Sequence, residues 1–179
     1  GCSALAKIAI PTNVEPIEKF AFFKCSALTD VVFSDNAKLQ YIGQEAFHKT
    51  PITSLVFAEG GNAPLCIANG AFKKILVEEI ALPEGREYIH IHHWAFGGCP
   101  NLKNVYIPSC ITKTWGGEHV DYFDNFNSQT NAQWGNYSCL FSGDAALETI
   151  TFGSEEARDT FFSHNNGVIS YSNGSYNGD

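Results

Sequence analysis

Leu5-Ala6-Lys7-Ile8-Ala9-Ile10-Pro11 and, further along, Leu28-Thr29-Asp30-Val31-Val32-Phe33 carry one pattern: an apolar residue, two mostly polar ones, then apolar–variable–apolar. The pattern returns over Ile52 to Phe57, Val77 to Pro83, Leu102 to Pro108 and Leu147 to Phe152. Its last three positions alternate as a strand does, so the first and third side chains share one face. Pro11, Pro83 and Pro108 close three of the runs. A proline ends a strand because it has no N–H to give a neighbour.

A second landmark keeps step with the first. Ala-Phe stands at Ala21-Phe22, Ala46-Phe47, Ala71-Phe72 and Ala95-Phe96 at near-constant spacing, and Phe141 follows after a longer gap. Between each strand-like run and its Ala-Phe lies another apolar pair, such as Val14 and Ile17 or Leu39 and Ile42. A unit of roughly 23 to 25 residues cannot bury its own apolar edge, so neighbouring units must stack. The alanine is small where coils crowd, and the phenylalanine fills the space between successive coils. These features predict a solenoid; an antiparallel sandwich with evenly spaced strands is the competing architecture.

The units resemble the BspA-like subfamily of leucine-rich repeats, which read roughly L-x-x-I-x-I-P-x-x-V-x-x-I-x-x-x-A-F-x-x-C-x-x-L. The first unit matches at Leu5, Ile8, Ile10, Pro11, Val14, Ile17, Ala21, Phe22, Cys25 and Leu28. The resemblance covers about residues 1–111 and resumes at 139–153; Gly60-Gly61-Asn62-Ala63-Pro64 loosens the third unit. It implies an α/β solenoid, a right-handed leucine-rich-repeat superhelix with a parallel sheet on one face. It also implies a secreted or cell-surface protein, most often bacterial, in a family linked to adhesion and host-protein binding. One domain is expected over 1–179: repeats at 1–111 and 138–153, an aromatic-rich insertion at 112–137, and a helix–strand cap with a tail at 154–179. Ser154 ahead of Glu155, Glu156 and Ala157 reads as the N-cap of that helix. Val168 to Tyr171 reads as a closing strand.

Composition narrows the function. The chain has 179 residues, is 44% hydrophobic and 17% charged, and carries 11 basic against 19 acidic side chains for a net charge of −8. That balance argues against a nucleic-acid partner, and no apolar run is long enough for a transmembrane helix. The sequence contains no methionine and opens on Gly1-Cys2-Ser3-Ala4-Leu5, which repeats the phrase Cys25-Ser26-Ala27-Leu28. The expectation is a piece of a longer or processed chain.

Six cysteines would ordinarily suggest a disulfide framework. Here Cys2, Cys25 and Cys99 occupy one repeat position, held elsewhere by Thr50, Ile75 and Asp144. A position open to Cys, Thr and Ile is a small interior slot. Cys2–Cys25 and Cys110–Cys139 remain conceivable bridges, and zinc-ligand spacing is absent.

Three surfaces are candidates for binding. On the strands, the side chain between the two inward residues faces out, giving the column Ala9, Val32, Val56, Ala81, Tyr106 and Thr151. Beside it run Lys7, Asp30, Ser54, Glu79, Asn104 and Thr149. An apolar stripe on such a face is a candidate protein interface, with Val32, Val56, Glu79, Asn104 and Tyr106 as its contacts. The family resemblance implies that the partner is a protein, such as a host extracellular-matrix or surface protein. The insertion gathers Trp115, Tyr122, Phe123, Phe126, Trp134 and Tyr137 among amides and carboxylates. Such rings suit the apolar face of a sugar or anchor a protein, and they equally suit a self-packed loop. A glycan-binding module using this insertion, or a structural spacer in a longer repeat protein, is the alternative function. Tyr88 to Trp94 holds His90, His92 and His93, but no companion carboxylate or cysteine motif supports a metal. His119, Glu118 and Asp121 lack a nucleophile motif, so no catalytic residue, cofactor or enzymatic activity is expected.

Overall fold

The computed structural model describes residues 1–34, 38–59, 61, 63–92, 94–111, 140, 141 and 143–164. In chain order its elements are β1 (Lys7–Ile10), β2 (Pro16–Ile17), β3 (Asp30–Phe33), β4 (Tyr41–Ile42), β5 (Ser54–Phe57), β6 (Leu65–Ile67), β7 (Glu79–Ala81), β8 (Ile89–Ile91), β9 (Asn104–Ile107), β10 (Thr149–Phe152) and α1 (Glu155–His164). All six quoted runs form strands, and every strand pair is parallel. The chain is a parallel solenoid of the leucine-rich-repeat type, and α1 is the one helix among the described residues.

Register follows the repeat. Ile8, Val31 and Leu55 align across β1, β3 and β5, as do Ile10, Phe33 and Phe57. Further along, Ile80 aligns with Val105 and Val105 with Ile150. The inward positions are sealed: Val31, Phe33, Ile80, Val105 and Ile107 are all buried. The first face is not one continuous sheet. It is two three-stranded sheets, β1-β3-β5 and β7-β9-β10. Between them the Leu76 N–H donates to the Ile52 carbonyl at 2.8 Å, but β5 and β7 themselves do not pair. At this seam Leu55 and Phe57 are only half-buried, and it coincides with the unit whose connection departs from the repeat.

The apolar pairs that precede each Ala-Phe make a second sheet, β2-β4-β6-β8, where the sequence pattern by itself marks only spacing. Its Ile17, Ile42, Ile67 and Ile91 align in one buried column. Gly43 follows β4 in the crowded inter-coil space. A Cβ there would lie 2.5 Å from the Lys19 nitrogen and 2.8 Å from the Ile17 oxygen.

The Ala-Phe segment turns the chain on the third side. Its rings stack along the axis: Phe22–Phe47 at 4.9 Å, Phe47–Phe72 at 5.1 Å, Phe72–Phe96 at 5.5 Å and Phe96–Phe141 at 6.1 Å between centroids. Offset stacking of this kind adds to the area each ring buries. Backbone bonds join the turns, as when the Phe20, Phe22 and Lys24 N–H groups donate to the carbonyls of Gln44, Ala46 and His48. This ladder uses two left-handed positions per turn. One precedes the alanine (Phe20, Glu45, Gly70, Trp94) and the other lies two residues past the phenylalanine (Lys24, Lys49, Lys74, Gly98, Gly143).

β10 pairs directly with β9 and Phe141 stacks on Phe96, so the coils that carry these two rings are neighbours in the stack. The insertion assigned to 112–137 lies outside the described residues, as does the closing strand at 168–171. The helix start agrees with its sequence signal: Ser154 Oγ accepts the Ala157 N–H at 3.1 Å, and Glu155 and Glu156 occupy the first turn. Ala157 and Phe161 are buried, and the Phe161 ring sits 5.5 Å from Phe152, covering the end of the stack.

Candidate functional site: the strand face

Alternation sends every second strand residue outward, and the outward column is where the sequence places it. Val32 and Val56 are 39% and 50% exposed, two of the three exposed large hydrophobics among the described residues. With Ala9 they form an apolar stripe across β1-β3-β5. Its polar flank begins with Lys7 and Asp30, whose charged atoms are 3.6 Å apart. Glu79 and Asn104 are exposed as expected, but they sit on the β7-β9-β10 sheet, across the seam from the valines.

Tyr106 differs from its expected role as a free contact. Its hydroxyl donates to Glu84 Oε1 at 2.5 Å. Glu84 also accepts the Ser109 N–H at 3.0 Å and the Ser109 hydroxyl at 2.6 Å. Partial burial pulls the Glu84 pKa upward, but the bonds from Ser109 and Tyr106 outweigh it and hold the carboxyl below its ordinary value. The same bond to Glu84, with some desolvation, pushes the Tyr106 phenol up to about 12. Tyr106 is half-buried and tied down, and it lies on β9, across the seam and one strand beyond β7 from the valine stripe. Glu84 follows the strand-closing Pro83, and the preceding unit has Glu59 at the same repeat position, so the sequence does not single out Glu84 as the partner of Tyr106. Arg86, from the same turn, crosses to the Leu39 and Ala63 carbonyls at 2.7 and 3.4 Å and fastens three units together.

The cysteine slot is interior at Cys25, Thr50, Ile75, Cys99 and Asp144, which are 0–2% exposed, but Cys2, in the first turn with no coil before it in the structure, is exposed. Cys2, Cys25, Cys66, Cys99 and Cys110 are free thiols, and the Cys2 N–H donates to Cys25 Sγ at 3.1 Å. Cys139, half of the other conceivable bridge, lies outside the described residues. Burial, with the nearby Asp144, pushes the Cys99 thiol up to about 12, and burial with Glu84 pushes Cys110 to about 11. Neither offers a thiolate at neutral pH. Asp144 is the slot's one carboxyl. Its Oδ1 accepts the Cys99 N–H at 2.6 Å, yet burial still raises it to about 8. Its place in the slot was legible in the repeat; periodicity does not show what burial does to a carboxyl.

Within β8, Ile89 and Ile91 point inward and His90 outward, as alternation requires. His92 Nε2 lies 3.4 Å from Cys66 Sγ. Among the described residues no group of three His, Cys, Asp or Glu side chains is arranged to hold a metal. Trp115, Tyr122, Phe123, Phe126, Trp134 and Tyr137 all fall outside the described residues, so the structure brings none of them to a site. No described helix is long and apolar enough to cross a membrane.

Comparison with known proteins agrees with this geometry. A family profile described as a BspA type leucine rich repeat region matches in six copies over residues 1–63 and 61–168. Among solved structures, a leucine rich cell surface protein from Faecalibacterium prausnitzii A2-165 superposes with a TM-score of 0.62 at 24% identity. That alignment covers 87% of this chain and 34% of the other. The present chain thus spans about a third of that protein's length, and at this identity the likeness is one of fold. No curated protein matches.

Proposed function

The chain belongs to the BspA-type leucine-rich repeat family, and on that premise we propose that it is a non-enzymatic protein-binding module of a secreted or cell-surface protein. The observation that carries the reading is the Val32–Val56 stripe, aliphatic surface left in water on the flat face of β3 and β5. A parallel ladder holds those strands rigid, so a partner docking there orders little of this chain, and little affinity is lost to ordering. Fixed Tyr106 across the seam supplies an aromatic edge of the kind that anchors interfaces. The fold neighbour's description as a cell surface protein supports the location. The partner class is an extracellular-matrix or surface protein of a host.

The test is capture of immobilised extracellular-matrix proteins by the wild-type chain and by the double variant Val32→Glu/Val56→Glu. Both positions are exposed, so the variant keeps its fold. Two carboxylates buried at the contact should weaken capture by about tenfold or more, the equivalent of about 1.4 kcal/mol. Equal capture by both proteins would rule out the strand face.

A further inference from the structure

We propose that the Ala-Phe edge of the solenoid, on a different side from the strand face, is a binding site for an anionic polysaccharide. Lys24, Lys49 and Lys74 occupy the same left-handed position in three successive turns, with φ of 53°, 57° and 63°. The next two turns place Gly98 and Gly143 there. Glycine enters that region without a Cβ penalty, whereas lysine is strained in it. The Lys24 N–H donates to the His48 carbonyl and the Lys49 N–H to the Lys73 carbonyl, so each lysine stands one coil from the next, about 4.8 Å along the axis. All three are exposed, and the Lys74 stem lies across Gly98, with its Cγ 3.3 Å from where a Cβ would stand.

Lys19 and Lys73 lie on the same edge, which therefore holds five of the chain's 11 basic side chains although the net charge is −8. Among the described residues no carboxylate pairs with any of the five. The edge's own acids are Glu18, which is exposed, and Glu45, which is engaged by His48 at 2.9 Å. A row of like charges, each on a strained backbone, opposes folding twice over, and an outside polyanion relieves the repulsion.

The rings on this edge favour a sugar polymer over a phosphate polymer. Phe20 is 47% exposed and also left-handed, at φ 61°, in the slot that Gly70 fills two turns later. Lys24 lies over the Phe23 ring at 4.9 Å and Lys73 over Trp94 at 4.3 Å. The exposed Phe20 ring beside the lysine row matches the apolar face of a pyranose that bears a sulfate or carboxylate.

The test is binding to immobilised dextran sulfate, with neutral dextran and inorganic polyphosphate alongside. Lys24→Gly/Lys49→Gly/Lys74→Gly removes the row and relieves the backbone, so it folds. Lys7→Gln/Lys38→Gln/Lys103→Gln removes the same charge elsewhere. Five lysines on a flexible polyanion give a log–log salt slope of about −3.5, so wild-type affinity should drop roughly a hundredfold from about 50 to 200 mM salt. At about 50 mM the glycine triple should bind about tenfold more weakly or worse, with the slope cut to about −1.4 by the two lysines that remain, while the glutamine triple stays within about threefold of wild type. Phe20→Gly should weaken dextran sulfate and leave polyphosphate unchanged. Equal loss in both triples would reduce the effect to bulk charge and overturn the site. Polyphosphate binding as tightly as dextran sulfate, with Phe20→Gly without effect, would overturn the sugar assignment.

Discussion

Replacing Asp144 with asparagine should abolish a pH dependence of stability that this carboxyl alone imposes. Asp144 fills the interior slot at 2% exposure and is held protonated up to about pH 8, against 3.8 for an unperturbed aspartate. Between those values the native state binds a proton that the unfolded chain has released. Stability from this group is therefore whole below pH 3.8, falls as pH rises, and stops falling above about 8. Inside the window stability falls by about 1 kcal/mol per pH unit, so from pH 5 to pH 7 the wild type should lose about 2–3 kcal/mol that Asp144→Asn does not. The amide keeps an oxygen for the Cys99 N–H and cannot ionise. Any fixed cost of its NH2 group shifts the variant's curve without changing the slope. The assay is urea unfolding of both proteins at several pH values, read as their difference so that histidine titration cancels. A difference that stays constant within about 0.5 kcal/mol from pH 5 to 7 would refute the reasoning, because the carboxyl would then have to be ionised or hydrated in the fold.

Phe47 is fully buried between Phe22 and Phe72, and Phe47→Ala should cost about 3–5 kcal/mol in denaturant unfolding; a loss below about 1 kcal/mol would show that the ring stack is dispensable. Gly43→Ala would drive a Cβ into the backbone of the preceding coil at Lys19 and should destabilise by about 2 kcal/mol or more, against about 0.5 for an alanine at an exposed position. Glu84→Gln should return the Tyr106 phenol from about 12 toward 10, read by ultraviolet titration against a Tyr106→Phe control; an unchanged titration would mean that the Glu84 bond does not govern it.

Most of the fold was legible because a solenoid writes its geometry into the chain once per turn. The inward pairs, the Ala-Phe spacing and the cysteine slot each recur, and each returns as a column that is buried through most of its length, with Leu55, Phe57 and Cys2 among its less buried members. The second sheet was missed since its strands are two or three residues long, too short for alternation to show. The break between β5 and β7 escaped because the step from Ala46-Phe47 to Ala71-Phe72 matches the step before it, and only backbone pairing reveals the seam. At the candidate interface, the exposure of Val32 and Val56 followed from alternation. The tether on Tyr106 comes from Glu84 of the neighbouring unit, and a repeat pattern does not show which polar side chains meet across coils. The lysine row was visible as letters, but its meaning depends on the sign of φ, which side-chain identity does not encode.

The central claim, that a protein partner docks on the valine stripe, is tested most directly by a photo-crosslinking side chain placed at Val56 and, separately, at Phe20. Both positions are exposed, on different sides of the coil. With a captured matrix protein bound, the account predicts a covalent adduct from position 56 and none from position 20. An adduct from position 20 alone would contradict it.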